Sequence, residues 1–250
     1  MENAVTFFHQ AFRALTDHDP FCWQRRLFDR LSGADIPAVC DIPTGLGKTS
    51  VIPIWLITLA VQAKERRAGV PRRLVYIVNR RTVVDQATNV VELMRVRMLD
   101  PDNVSWSAHA EILRSLTGLL RGLAATDGAP LAVSTLRGEL ADNREWKVDP
   151  ARPAIIIGTI DMVGSKLLFS GYGDGRYGRA HHAGLIGQDT LIVHDEAHLT
   201  PAFSDLLHGV ADAQRQSLEP RLIRVMELSA TARGKDEDVL QLEQDDEKSL

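Results

Sequence analysis

The sequence predicts an α/β fold: a mostly parallel β-sheet flanked by helices. Three observations carry that prediction. Short aliphatic runs such as LVYIVN from Leu74, AIII from Ala154 and LIV from Leu191 are each followed by polar residues and then by a helical pattern. One such strand-to-helix junction, AVCDIPTGLGKTS, carries glycines, a lysine and a threonine at the turn. The chain has 250 residues, of which 44% are hydrophobic and 25% charged, an ordinary globular composition for one large domain or two small ones.

The elements follow in order. Val5, Phe7, Phe8, Phe12 and Leu15 recur at helical spacing from Asn3, and the turn-prone TDHDP ends that helix. In PFCWQRRLFDRLSG a second amphipathic helix is stopped by Gly33. The strand from Ala38 to Cys40 leads into Thr44, Gly45, Leu46, Gly47, Lys48 and Thr49. The pattern G-x-x-x-x-G-K-[ST] has glycine where Ile42 stands, but the core T-G-x-G-K-T is intact between strand and helix.

That loop reads as a phosphate cradle. Its glycines let backbone N–H groups turn inward and the next helix points its positive end there, while Lys48 neutralises β/γ oxygens and Thr49 can hold Mg²⁺. ATP is the expected ligand. Upstream, Phe21 can stack on an adenine face and Gln24 can both donate to and accept from its edge. Helix 51–61, VIPIWLITLAV, is expected to be buried, with Pro53 distorting its first turns.

After the strand from Leu74 to Asn79 come Arg80 and Arg81, then a helix, TVVDQATNVVELMRVRM. Arg80, Arg81, Thr82 and Gln86 are placed at the ligand edge of the sheet, where they can grip a nucleic-acid backbone. A helix around 111–123 and a strand at LAVST follow. For TLRGELADNREWKVDPARP two readings stand, a DNA-contacting loop using Arg137 and Trp146 or an insertion that only packs. Ala154 to Ile157 form the next strand, and a helix from Thr159 to Leu168 is capped by Thr159 or Asp161. GYGDGRYGRAHHAG reads by composition as a flexible loop, either a surface loop or one that stacks bases and holds phosphates.

In TLIVHDEAHL a strand delivers Asp195 and Glu196 to the same edge. Asp195 is expected to hold Mg²⁺, Glu196 to orient and polarise the attacking water, and His198 to sense the γ-phosphate. A rival reading joins His194 and Asp195 to His181, His182 and His198 as phosphohydrolase metal ligands. Zinc bound by His194 and His198 is a related alternative. The helix TPAFSDLLHGVADAQRQ and the strand RLIRVMELSATAR close the pattern, and the hydroxyls of Ser229 and Thr231 are placed to couple nucleotide state to the outside of the lobe.

Net charge is −4, yet residues 235–250 hold seven acids and two lysines, so of 33 acids and 29 bases the body keeps 26 and 27. Any basic patch is therefore local. Cys22 and Cys40 have no metal or disulfide-framework spacing, which suits a reducing cytoplasm. No basic-then-apolar leader opens the sequence, and run 51–61 is shorter than the ~20 residues that span a bilayer, so no membrane role is expected.

GLGKT, HDEAH and SAT, in this order and at these separations, look like the first RecA-like lobe of a superfamily-two helicase. CWQRRLF, VNRRTVVDQ, STLRGE, GTIDMVGSKLLFSGYG, HAGLIGQDTLIVHDEAHLTPAF and SATAR are similar to the helicase half of the CRISPR-associated helicase-nuclease of type I interference systems. That resemblance covers roughly residues 20–234 and is nearest the branch in which the helicase precedes the nuclease. It implies a RecA-like P-loop NTPase lobe over 1–234, with N-terminal helices and the adenine-reading segment in 1–33 and an acidic tail or linker start in 235–250. By resemblance, Lys48 and Thr49 bind ATP and Mg²⁺, Asp195 and Glu196 serve hydrolysis, Gln24 reads adenine, and Arg80 with Thr159 lies along the DNA track. The resemblance further implies translocation along single-stranded DNA, recruitment by an RNA-guided surveillance complex, and a second helicase lobe and a nuclease domain as partners.

Overall fold

The computed structural model describes residues 3–136, 145–171, 174–229, 238–243 and 246. The chain runs α1 (Ala4–Thr16), α2 (Cys22–Ser32), β1 (Val39–Asp41), α3 (Val51–Lys64), β2 (Arg73–Val78), α4 (Arg81–Leu99) and α5 (Ala110–Arg121). It continues through β3 (Ala132–Leu136), α6 (Glu145–Val148), β4 (Ala154–Thr159), α7 (Ile160–Leu167) and α8 (Arg176–Gly187). It then enters β5 (Thr190–Asp195), α9 (Pro201–Gln216), β6 (Ile223–Ser229) and β7 (Val239–Gln241). The strands form one seven-stranded sheet in the order β3-β4-β2-β5-β6-β1-β7. Every pairing is parallel, so every strand-to-helix loop after a strand's C-terminus opens on one edge.

Local chemistry explains the element ends. Asn3 Oδ1 accepts from Val5 N at 3.3 Å and caps α1. Pro201 stands in the first turn of α9, where its missing N–H leaves no bond unmade. Pro53 lies in the first turn of α3 for the same reason, and the distortion expected there is a 3₁₀ turn over Lys48–Ser50.

Helices cover both faces of the sheet, so the central strands β2, β4 and β5 are apolar without alternation. On one face Leu74, Tyr76, Val78, Leu191 and Val193 pack with α1 to α5. On the other Val75, Ile77, Ile156 and Ile192 pack with Trp146, Val163, Ile186, Phe203 and Leu207. α3 is buried all round, from Val51 to Gln62, because the sheet lies beneath it and α1, α2 and α5 surround it.

One expectation is corrected, and for Trp146 the structure chooses between two readings. Residues 176–187, within the stretch read as a flexible loop, form α8, with His182, Ala183 and Ile186 buried against α7 and the sheet. Its glycines lower helix propensity, and the burial of that face overrides it. Trp146 is a core residue with no exposed surface, not a DNA-contacting side chain, while Arg137 lies outside the described residues.

β7 lies within 235–250, the segment expected to be a tail or linker start. Asp238 accepts from Ala38 N at 3.1 Å and pairs with Arg30, while Arg26 donates to Gln241 O and Asp246 Oδ2, each at 2.7 Å. Arginines of α2 thus hold this edge of the sheet.

Removing the indole at 146 empties a buried volume between α6 and the sheet. Trp146→Ala is expected to lower the unfolding free energy by about 3–5 kcal/mol, measured by urea denaturation.

Candidate nucleotide site

The glycine loop leaves the C-terminal end of β1 and turns through two left-handed glycines, Gly45 at φ +91 and Gly47 at φ +72. Side chains rarely adopt these angles, which is why glycine stands at both positions. A Cβ at Gly47 would also meet Gln24 Nε2 at 3.3 Å. Ile42 is fully buried and packs into the core, so the position where the general motif carries glycine is used here for packing. Thr44, Gly45 and Gly47 are exposed and Leu46 and Thr49 half-buried, but Lys48 is only 8% exposed.

Lys48 reaches across the edge to the second motif. Its Nζ lies 3.4 Å from Glu196 Oε1. Glu196 follows β5 in a left-handed conformation at φ +54, unusual for a side-chain-bearing residue, and enters the 3₁₀ turn Ala197–Leu199. Asn79 Nδ2 donates to the Glu196 carbonyl at 3.4 Å, and His198 Nε2 stands 3.5 Å from Glu196 Oε2. Lysine, glutamate and histidine therefore converge above the loop.

Asp195 is held differently. Its Oδ2 accepts from the Tyr76 hydroxyl at 2.7 Å, and its Oδ1 is buried with no hydrogen-bond partner among the described residues. Burial pushes the Asp195 carboxyl pKa upward, against the Tyr76 hydrogen bond and the Lys48 charge. An oxygen buried without a partner is costly unless something binds it. Asp195 Oδ1 and the Thr49 hydroxyl are hard oxygen donors suited to Mg²⁺, so the residues present fit that ion.

Gln24 is committed within the protein. Its carbonyl accepts from Phe21 N at 2.9 Å, tying its side chain back to the first residue of the α2 cap, and its amide donates to Ser50 Oγ at 2.7 Å. The half-buried Phe21 ring packs against the core beside it. Gln24 thus lies directly against the phosphate loop. Arg80, Arg81 and Gln86 are exposed at the start of α4, and Thr159 ends β4 opposite Val78. Arg80 and Thr159 thus stand at the C-terminal ends of β2 and β4, the edge of the sheet from which the phosphate loop also leaves. Ser229 ends β6 opposite Asp41 and is buried, whereas Thr231 lies outside the described residues.

The metal alternatives fail on geometry. Neighbouring strand residues point to opposite faces, so His194 faces away from Asp195. Its Nδ1 lies 3.2 Å from Ser204 Oγ and its Nε2 3.1 Å from Thr200 Oγ1, and the ring meets Phe203 edge-on. His182 Nδ1 lies 2.7 Å from Asp174, which also accepts from Lys166 at 2.9 Å. Among the described residues no group of three His, Cys, Asp or Glu side chains is arranged to hold a metal.

Tyr76, Ser50 and Asn79 are contacts that the sequence reading missed. The available signal was a hydroxyl-bearing ring in the otherwise aliphatic run LVYIV.

A glycine cradle after β1, a lysine at its end and an Asp-Glu pair at the end of β5 on one edge of a parallel sheet define a helicase-type, RecA-like P-loop ATPase lobe. Residues 22–233 match the family model described as "Type III restriction enzyme, res subunit", and the chain belongs to that family. Among solved structures it is similar to the DEAD-box helicase Mss116 bound to ssRNA and UDP-BeF, at 16% identity and a TM-score of 0.55. That match covers 94% of this chain and 42% of the other. The UvsW helicase from bacteriophage T4 matches at 13% identity with a TM-score of 0.44, over 90% of this chain and 61% of its own. The chain therefore spans less than two thirds of either structure. No protein of curated function matches it in sequence. No described helix is long and apolar enough to cross a membrane.

Burial lowers the His194 pKa from 6.5 to about 4. An unfolded histidine takes up its proton below 6.5, whereas the native ring resists until about 4, so this stability is complete above the higher value and is lost as pH falls between them. The expected loss is roughly 3 kcal/mol. Urea unfolding over that pH series should show the slope, and His194→Gln should flatten it.

Proposed function

We propose that the chain is the ATP-binding lobe of an ATP-dependent motor that moves on single-stranded DNA, acting in type I CRISPR antiviral interference. The convergence of Lys48, Glu196 and Asp195 on the phosphate loop carries the ATPase part of this reading. The stretches that resemble the CRISPR-associated helicase support the DNA and interference part.

In this reading the inward N–H groups of the loop and Lys48 bind the β- and γ-phosphates. Glycine at 45 and 47 keeps side chains out of the space those phosphates need. Thr49 and Asp195 would hold Mg²⁺, which would supply charge neutralisation at the phosphate oxygens. Glu196 orients the attacking water and takes up its proton at a carboxylate oxygen, and nucleotide binding draws Lys48 away from Glu196 toward the phosphates. His198 beside Glu196 reports the occupied state, and Ser229 and Thr231 transmit it. Phe21 and Gln24 read the adenine, which requires Gln24 to exchange one of its internal hydrogen bonds for the base. Arg80, Arg81, Gln86 and Thr159 contact the DNA backbone at the same edge.

A second RecA-like lobe contributes the arginine that stabilises the transferring phosphoryl, an effect worth ~10³ to 10⁵ in rate. Turnover by this lobe alone is accordingly slow. The lobe acts in the cytoplasm, is loaded by an RNA-guided surveillance complex and passes DNA to a nuclease domain. A second reading, a restriction-type translocase on duplex DNA, is favoured by the family to which the chain belongs.

ATP hydrolysis with the second lobe supplied tests these readings. Single-stranded DNA should stimulate it, Lys48→Ala should abolish it, and Glu196→Gln should lower kcat by roughly 10²- to 10⁴-fold while nucleotide still binds. Stimulation by duplex DNA alone would favour the restriction-type motor, and stimulation by RNA alone would remove DNA as the track. Turnover that persists in Lys48→Ala would refute the nucleotide site.

A further inference from the structure

Tyr76 stands in the middle of β2, level with Ile157 on one side and Val193 on the other, and has no exposed surface. A phenol in an aliphatic strand must find partners for its oxygen. It finds one in the candidate nucleotide site: its O–H donates to Asp195 Oδ2 at 2.7 Å.

Donor and acceptor arithmetic fixes the direction. A phenol has one proton, and an ionised carboxylate only accepts, so the Tyr76 proton goes to Asp195. With Oδ2 held, Asp195 offers Oδ1, the buried oxygen that has no partner among the described residues.

We propose that Tyr76 is a positioning residue that fixes the Asp195 carboxylate as an oxygen ligand for the divalent cation that accompanies the nucleotide. This role rests on the ATP-binding reading above. Tyr76 needs no contact with nucleotide. It ties β2 to the carboxylate at the end of β5 through one oxygen, so that donor is set before anything binds. Outer groups that orient metal ligands in this way commonly change metal affinity by ~10- to 100-fold when removed.

The test separates this role from simple core packing. Binding of a fluorescent N-methylanthraniloyl-ADP to the full chain is titrated with Mg²⁺ and, separately, measured in EDTA. Tyr76→Phe, which keeps the ring and deletes the oxygen, should raise the Mg²⁺ midpoint about tenfold. Its Mg²⁺-free affinity for the nucleotide should stay at the wild-type value. A packing residue would change the thermal midpoint without moving the Mg²⁺ midpoint, and an unmoved midpoint overturns the proposal.

The double variant Tyr76→Phe/Asp195→Asn removes both partners of the hydrogen bond and so avoids an unpaired buried carboxylate if the single variant folds poorly. Compared with Asp195→Asn alone, it should show no further change in Mg²⁺ midpoint. A further large shift would mean that Tyr76 does not act through Asp195. Lys48→Ala should weaken binding with and without Mg²⁺. If the wild-type chain binds no nucleotide under either condition, the ATP reading itself falls and takes this role with it.

Discussion

The parallel alignment of β5, β6 and β1 is the constraint on which the site depends. β6 lies between the other two, and its Leu228 is level with both Asp195 of β5 and Cys40 of β1. The phosphate loop and the carboxylate pair therefore leave the sheet at the same height, two strand spacings apart, or roughly 10 Å. Lys48 spans that gap and comes within 3.4 Å of Glu196. A slip of one residue would displace the carboxylates by about 3.3 Å along the strand and turn Asp195 to the opposite face. The hydrogen bond from Ile42 N to Ser229 O, at 3.0 Å, extends the β1–β6 pairing to the first residue of the loop and holds that register.

The same alternation separates structure from chemistry at adjacent residues. Asp195 points to the face that carries α3 and the phosphate loop, where Tyr76 meets it. His194 points to the face that carries α9, where Thr200 and Ser204 take both ring nitrogens. A buried neutral histidine with two hydrogen-bond partners fastens α9 to β5, so the sheet behind the carboxylates is braced from the far side. Glu196 then leaves the strand in a left-handed turn, which returns its carboxylate toward Lys48 instead of continuing along the strand. The polar groups at the edge are thus positioned by contacts made on both faces.

The helices and central strands were legible because their signals are local. Asn3 caps α1, Gly33 ends α2, and the aliphatic runs around Leu74, Ala154 and Leu191 announce buried parallel strands. The loop from Thr44 to Thr49 and the Asp195-Glu196 pair were equally visible, since each motif is a short run whose spacing reflects its own backbone. Composition misled at residues 176–187. Glycines and charges there signal a loop, but Ala183 and Ile186 supply an apolar face and α7 supplies the surface that buries it. Trp146 was ambiguous because an indole serves equally well in a core or against a base, and only its neighbours decide.

The sequence by itself determined the class of fold, the phosphate loop and the acidic pair that faces it, because those features are encoded within runs of about ten residues or fewer. The tertiary structure decided which groups meet. Tyr76 and Asp195 are separated by 119 positions and Lys48 and Glu196 by 148, and no local pattern reports contacts at such distances. The strand order that places β6 between β1 and β5, and the pleat that sends His194 one way and Asp195 the other, arise from packing the whole sheet. The division follows from range: backbone propensity acts over a few neighbours, whereas a site is assembled by burial, which acts on the whole chain at once.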